Sequence, residues 1–435
     1  VTLRLLHTSD WHLGHRLHGR DRAPEHEAML AWLLDVLRQE AVDMLLIAGD
    51  VFDTTSPPAQ AFRHYYDFLS AVSATGCQHT VVLGGNHDSP TVLNAPAELL
   101  RSMRIHVVGC VPRGSTDPEH GRNPEHGRSE VALHEELLEL PIRHDPEHGR
   151  GMVLIAATPF LRERDLKSAQ PGETQAEREQ AIREGIRAHY AALADYAQAR
   201  RAALDAADAP LIAGGHLFCA GACAGEGERA VHLGNLGQIS AEEFPSAFAY
   251  VALGHLHQAQ RVGGCSHIRY SGAPLPMGCQ DAARAKQVLL VEFNGPNLGE
   301  VRAIPVPVFR AMHALAGSQA EVEAALAALP AVDSATLQPW LEIVLDADAA
   351  PPQLQADLHQ QAAERGYAIL RIALRRAIGP ANGEEMPPLA LELASAEEIF
   401  LRKCHDAGKT AQQTEVLLAL LHRLQDWMDN NEPTS

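Results

Sequence analysis

Metal-type donors stand just beyond a series of apolar runs in this chain. Asp10 and His12 follow Leu3-Arg-Leu-Leu-His-Thr, Asp50 follows Met44-Leu-Leu-Ile-Ala, and Asn86, His87 and Asp88 follow Val81-Val-Leu. His216 comes two glycines after Leu211-Ile-Ala, and His255 and His257 follow Tyr250-Val-Ala-Leu. Strand-like runs that each end in a hard oxygen donor or an imidazole are poorly explained by packing alone. They describe one hydrolytic centre built around two metal ions.

Such a centre holds its ions about 3.5–4 Å apart, so at least one ligand must bridge them. A carboxylate does this well, because its two oxygens can each face one ion. Asp50, at the end of a central strand, is the natural bridge. Asp10 and His12 stand two apart on an extended segment, so they point to one side and chelate one ion together. His255 and His257 repeat that spacing and can serve one ion each, while Asn86 adds an amide oxygen and His216 another imidazole. This mixed oxygen and nitrogen set without thiolate favours two Mn²⁺, with Fe or Mg²⁺ as further options, over a cysteine-rich zinc site.

His87 directly follows Asn86 and so points away from that ligand's ion, where it can donate a proton or stabilise charge on a phosphoryl oxygen. Asp88 is expected to fix its tautomer, as carboxylates behind functional imidazoles commonly do. His15, Arg16, Arg20 and Arg22 form a basic cluster right after the first ligand pair. A solvated face accounts for them, and a place at the site mouth suits contact with a phosphate backbone. Asp53 sits beside the bridge and also suits the cap of the helix that follows. Cys219 and Cys223 lack the second pair that a zinc site needs.

The elements that position these residues alternate between strand and helix. Strands are expected over 2–8, 43–48 and 79–84. Helices are expected over 24–40, where Met29, Leu33, Val36 and Leu37 recur at helical spacing, over 58–75, and after Pro90. That alternation predicts an α/β core with helices on both sheet faces. A polar helix over 174–206 reads as solvent-facing, and a turn at Tyr270-Ser-Gly-Ala-Pro precedes a strand over 286–293. After Pro305-Val-Pro307 the pattern changes to helix 318–329, strand 340–346, helix 353–365 and strand 367–375. The domains are therefore 1–305, a small α+β unit over 306–385, and 390–435, reached through a Pro/Gly/Asn-rich linker at 379–388. The last carries helices at 395–406 and 411–430, with Leu417, Leu418, Leu421 and Leu424 forming a stripe suited to a partner helix. The hexapeptides beginning at Asp117, Asn123 and Asp145 repeat Pro-Glu-His-Gly-Arg. They read as insertions in a tolerant loop rather than as a metal site of His120, His126 and His148.

At 435 residues the chain is long enough for more than one domain. No apolar run approaches bilayer-spanning length and no basic segment leads into a signal-like core, so a cytoplasmic protein without a membrane partner is expected. Seven cysteines without framework spacing fit a reducing compartment. The net charge of −19 argues against a generic nucleic-acid coat. It leaves room for an enzyme that grips a phosphodiester through metal ions and a local basic patch.

These motifs resemble the calcineurin-like metallophosphoesterases, and within them the SbcD family of bacterial double-strand-break repair nucleases. The likeness rests on Asp10-Trp-His12-Leu-Gly14, Gly49-Asp50-Val-Phe-Asp-Thr54, Gly85-Asn86-His87-Asp88 and Gly254-His255-Leu-His257, and spans residues 1–295 or so. Tyr270-Ser-Gly-Ala-Pro274 resembles the family's later turn, with Ala273 where serine is common. The resemblance implies a metallophosphoesterase β-sandwich core flanked by helices, an α+β capping domain that binds DNA, and C-terminal helices that dock on an SbcC-type ATPase. It implies Mn²⁺-dependent hydrolysis of DNA phosphodiesters, as exonuclease on duplex ends and endonuclease on single strands or hairpins, near the nucleoid. By position, Asp10, His12, Asp50 and His257 would hold one ion, Asp50, Asn86, His216 and His255 the other, and His87 would be the catalytic histidine. A homodimer within a heterotetramer is also implied, with helices in 58–75 and 90–101 as its contact. The competing reading is a metallophosphatase or cyclic-nucleotide phosphodiesterase of the same superfamily. That branch usually carries Arg where Thr54 stands and Glu where Asp88 stands. A scaffold that has lost its metals is opposed by the intact ligand set.

Overall fold

Two mixed six-stranded sheets lie face to face, and a third, three-stranded sheet follows them in the chain. The computed structural model describes residues 2–112, 130–143, 150–166, 173–219, 222, 239–330, 332, 337–346, 350–375, 413 and 417–418. In the first sheet β1 (Thr2–Thr8), β4 (Met44–Ala48), β5 (His79–Leu83) and β6 (Ile105–Val108) run parallel. β13 (Gln287–Asn294) pairs antiparallel with β1, and β14 (Asn297–Pro305) closes that edge. Between β1 and β4 lie the short hairpin β2 (Arg16–Leu17) and β3 (Arg20–Asp21) and helix α1 (Ala23–Gln39). Helix α2 (Ala59–Val72) leads into β5, and α3 (Pro90–Asn94) and α4 (Ala97–Ser102) into β6.

The second sheet has the order β11 (Gln260–Arg261), β12 (Ile268–Tyr270), β10 (Tyr250–Gly254), β9 (Leu211–His216), β8 (Arg150–Ala157), β7 (Leu137–Arg143). Its helices are α5 (Glu130–Glu136), α6 (Glu163–Leu166) and α7 (Gln175–Ala203). The strand period of two separates two cores. Leu5, Met44, Leu46 and Val81 pack against Val153, Ile155, Ile212 and Tyr250 between the sheets. Leu6, Leu45, Ile47 and Val82 face the opposite way, onto Met29, Leu33, Phe68 and Leu69 of α1 and α2. Helix α7 covers the outside of the second sheet with Ile182, Ile186, Tyr190 and Leu193, so it is half-buried rather than wholly solvent-facing.

The sandwich implied by the resemblance is therefore present, whereas among the described residues no sheet has helices on both faces. Among the described residues each sheet has helices on one side and its partner sheet on the other. A central strand buried on both faces reads as a continuous apolar run, whatever covers it. Beyond β14, β15 (Met312–Gly317), β16 (Trp340–Leu345) and β17 (Ala368–Leu374) form a parallel sheet. The crossover helices Gln319–Ala328 and Pro352–Glu364 pack on it through Val322, Leu326 and Leu358. Strand β15 was not legible in the sequence. Residues Val1–Arg376 form one compact unit. The repeats other than Arg150, Cys223, the linker and the closing helices other than Gln413, Leu417 and Leu418 lie outside the described residues. Among the described residues no helix is long and apolar enough to cross a membrane.

Candidate metal centre

The carboxyl ends of five parallel strands meet at one edge of the sandwich. β1 delivers Asp10 and His12, β4 Asp50, and β5 Asn86 and His87, while β9 ends in His216 and β10 leads to His255 and His257. Open α/β sheets bind ligands at such strand ends. Two glycines allow the sheets to come this close: a methyl on Gly85 would run into the Asp50 carboxylate, and one on Gly254 into the carbonyl of Ala48. Asp10 and His12 are not on an extended segment. They adopt left-handed backbone at φ 54° and 46°, as do Asp50 at 49° and His255 at 100°. Each such residue costs about 1–3 kcal/mol and persists only where its surroundings fix it.

Among the described residues donor atoms converge in three groups, one of them His12, Asp53 and His87. His12 Nε2 and His257 Nε2 lie 3.2 Å apart, and together with Asp10 their ligand atoms fall within 4.8 Å of one another. Asp10, Asp50 and His216 form another such group. Asn86 Oδ1 is 2.9 Å from His216 Nε2 and 3.1 Å from His255 Nδ1. Asp50 stands between the groups through one oxygen rather than two. Its Oδ2 is 3.7 Å from His12 Nε2 and 3.3 Å from His216 Nε2, while Oδ1 accepts the His87 backbone N–H at 2.9 Å.

The bonds behind these donors aim them. His216 Nδ1 donates to the Ala48 carbonyl at 2.9 Å, which turns Nε2 toward Asp50 and Asn86. Ser9 Oγ donates to Asp10 Oδ2 at 2.5 Å and is itself 2.8 Å from Ser271 Oγ. The His255 backbone N–H donates to Asp10 Oδ1 at 3.0 Å. Asp53 does not cap α2, whose N-cap is Pro58; its Oδ1 lies 3.3 Å from His12 Nδ1. Ser9, Ser271 and Asp53 were not assigned to the centre from the sequence, although Asp53 stands three residues after the bridge. Asp88 also has a different place from the expected one. Its Oδ2 accepts from the Val51 and Gly85 N–H groups at 3.1 and 2.9 Å, and its Oδ1 from the Phe52 N–H at 2.9 Å. His87 Nδ1 donates instead to the Asp53 carbonyl at 2.8 Å, so a backbone oxygen fixes its tautomer.

The donor set fits divalent cations. Asp10, His12 and Asp50 are each only 1 % exposed and His216 is fully buried. His12 Nε2 faces His257 Nε2, and His216 and His255 share the Asn86 amide oxygen, so each pair of donors points at one place that a cation could occupy. Burial pushes the Asp10 carboxyl up to about 6, the Asp50 charge adding to it. Burial would lower His216, but Asp50 outweighs it and lifts the imidazole to about 9. Protonated imidazole thus neutralises the carboxylates, a task that bound metal ions would take over by displacing protons from their ligands.

Arg16 and Arg20 lie exposed on the β2–β3 hairpin, and Arg16 Nη2 donates to the Gly19 carbonyl at 2.6 Å. His15 is half-buried, and burial pushes its imidazole down to about 4. Arg22 departs from the expected basic surface: it is 1 % exposed and pairs with Glu25. An i, i+3 acid across the start of α1 supplied the counter-ion that a row of arginines concealed.

A β-sandwich whose strand ends gather carboxylate, amide and imidazole donors into adjoining groups defines a metallophosphoesterase, a metal-dependent hydrolase. Comparison with known proteins agrees. Residues 3–157 match the calcineurin-like phosphoesterase family, and residues 308–406 the family described as type 5 capsule protein repressor C-terminal domain. The chain is 33 % identical over 401 residues to the SbcD subunit of the SbcCD nuclease of Escherichia coli K12, covering 92 % of each chain. The corresponding protein of Rhodobacter capsulatus is 34 % identical over 405 residues, covering 92 % of this chain and 93 % of its own. That of Bacillus subtilis is 34 % identical over 295 residues, 67 % of this chain and 66 % of its own. The chain belongs to the SbcD family of nuclease subunits.

Proposed function

We propose that this chain is the nuclease subunit of an SbcCD-type complex and hydrolyses DNA phosphodiesters, as exonuclease on duplex ends and endonuclease on single strands or hairpins, in repair and recombination. The observation that carries this reading is the position of Asp50 Oδ2 between His12 and His216. Asp10, His12, Asp50 and His257 would hold one Mn²⁺, and Asp50, Asn86, His216 and His255 the other. Bound there, the pair of ions would supply an activated water and neutralise charge developing on the phosphoryl group. Asp53 orients His12 and the Ala48 carbonyl orients His216, so the imidazoles enter the reaction already aimed. His87, held through Nδ1 by the Asp53 carbonyl, acts through Nε2 on the departing oxygen. Asp88 supports these residues by fixing the loops after β4 and β5.

His15, Arg16 and Arg20 contact the DNA backbone, residues 306–385 cap the nuclease domain of residues 1–305, and residues 390–435 dock an SbcC-type ATPase. The working assembly is a homodimer within a heterotetramer. The test is substrate competition with Mn²⁺. Cleavage of a linear duplex and of a hairpin-ended one, with little turnover of a phosphomonoester or cyclic nucleotide, is expected. Preference for the small phosphates would move the chain to the phosphatase or cyclic-nucleotide branch.

A further inference from the structure

The hairpin and the C-terminal sheet share a seam that the hydrolytic centre does not use. Leu17 of β2 packs in one buried cluster with Cys279, Met312 of β15 and Trp340 of β16. Beside it lies an ionic seam. Glu25, in the first turn of α1 and 1 % exposed, is 2.9 Å from Arg310 Nε and 3.4 Å from Arg22 Nε. The Arg310 guanidinium stacks 4.2 Å above the Trp340 ring and so joins the two seams, and its Nη1 donates to the Gln338 carbonyl at 2.5 Å. Arg22 Nη1 donates to the Pro276 carbonyl at 2.6 Å and lies 3.3 Å from His15 Nδ1. A cavity of about 670 Å³ adjoins Arg22, Glu25 and Arg310.

We propose that Arg310 is a positioning residue: through Glu25, Arg22 and Trp340 it locks the C-terminal sheet, the Arg16/Arg20 hairpin and His15 into one body that sets duplex DNA over the metal centre. The inference rests on the nuclease reading above. Its charge arithmetic permits a clean test. Glu25 serves two guanidinium groups, so removing Arg310 leaves a neutral Glu25–Arg22 pair rather than a lone buried charge. Among the described residues these bonds of Arg22, Glu25 and Arg310 reach none of the proposed metal ligands. The seam therefore acts on how a long substrate sits and leaves hydrolysis of a small diester alone.

The test compares the Mn²⁺-loaded full chain with Arg310→Met, Arg310→Lys and Trp340→Leu. The substrates are linear duplex DNA and bis(p-nitrophenyl) phosphate. Arg310→Met should raise KM for the duplex about tenfold or more while kcat on the small diester stays within about twofold. Arg310→Lys, which restores charge but not the planar stack, should fall between. Trp340→Leu, which keeps the ion triad, should show the same KM-selective change, and it decides the matter should Arg310→Met fail to fold. An unchanged duplex KM overturns the proposal, as does a parallel loss on both substrates. Wild-type protein that hydrolyses the small diester but not DNA would instead refute the nuclease reading.

Discussion

Replacing Asp88 by asparagine tests whether this carboxylate builds the site or takes part in the reaction. The side chain is 1 % exposed and accepts three backbone N–H groups, from Val51 and Gly85 on one oxygen and from Phe52 on the other. The best asparagine flip keeps its oxygen toward Val51 and Gly85 and turns an NH₂ against the Phe52 donor. One charge-assisted bond is lost, at about 1.5–3 kcal/mol, and the other two weaken, so the loss should total about 2–4 kcal/mol. The affected loops carry Asp50 on one side and Asn86 with His87 on the other. Affinity for Mn²⁺ should therefore fall about 10–100-fold, as it does when an outer-shell partner is removed. Alanine leaves three buried donors unmet and should be worse, at about 1–3 kcal/mol for each. Guanidinium unfolding and Mn²⁺ titration read both quantities. Wild-type stability and affinity in Asp88→Asn would rule out this structural role. Lost turnover with both unchanged would return Asp88 to a role on His87.

His87→Ala should lower DNA cleavage by about 10²-fold or more while metal content by mass spectrometry stays near that of the wild type, since the side chain is outside both ligand sets. Full activity would remove its assigned role. Burial pushes the His7 imidazole, bonded to Tyr250 Oη and the Leu253 carbonyl, down to about 3. The unfolded chain then binds the extra proton first, so stability is complete above pH 6.5 and is lost as pH falls toward 3, at about 1.4 kcal/mol per unit. Chemical unfolding at stepped pH should show that slope reduced by about one proton in His7→Asn, and equal slopes would count against it. Removing residues 390–435 should abolish association with an SbcC-type ATPase on a sizing column while sparing basal cleavage, and a retained complex would contradict the docking assignment.

The candidate donors were legible because each stands at or beyond a strand end, and strand ends leave their marks in sequence as apolar runs closed by polar residues. Spacing alone gave the wrong backbone for Asp10 and His12: two residues apart implied an extended segment, yet both are left-handed. It also gave Asp88 the wrong partner, because adjacency to His87 says nothing of the loop across the site, where Val51 and Phe52 present their N–H groups. Arg22 looked solvated among its neighbours, and only the start of α1 brings Glu25 against it. The sandwich could not be told from a doubly covered sheet, since Leu46 and Val81 are equally apolar under a helix or under a second sheet. Long-range partners decide each of these, and local pattern does not carry them.

Two ions sharing Asp50 are the core of the proposed mechanism, and electron paramagnetic resonance of the protein titrated with Mn²⁺ reads them directly. Two ions bound per chain with an exchange-coupled spectrum, lost in Asp50→Ala, is the predicted result. A single ion per chain, or two with the spectrum of isolated Mn²⁺, would contradict it.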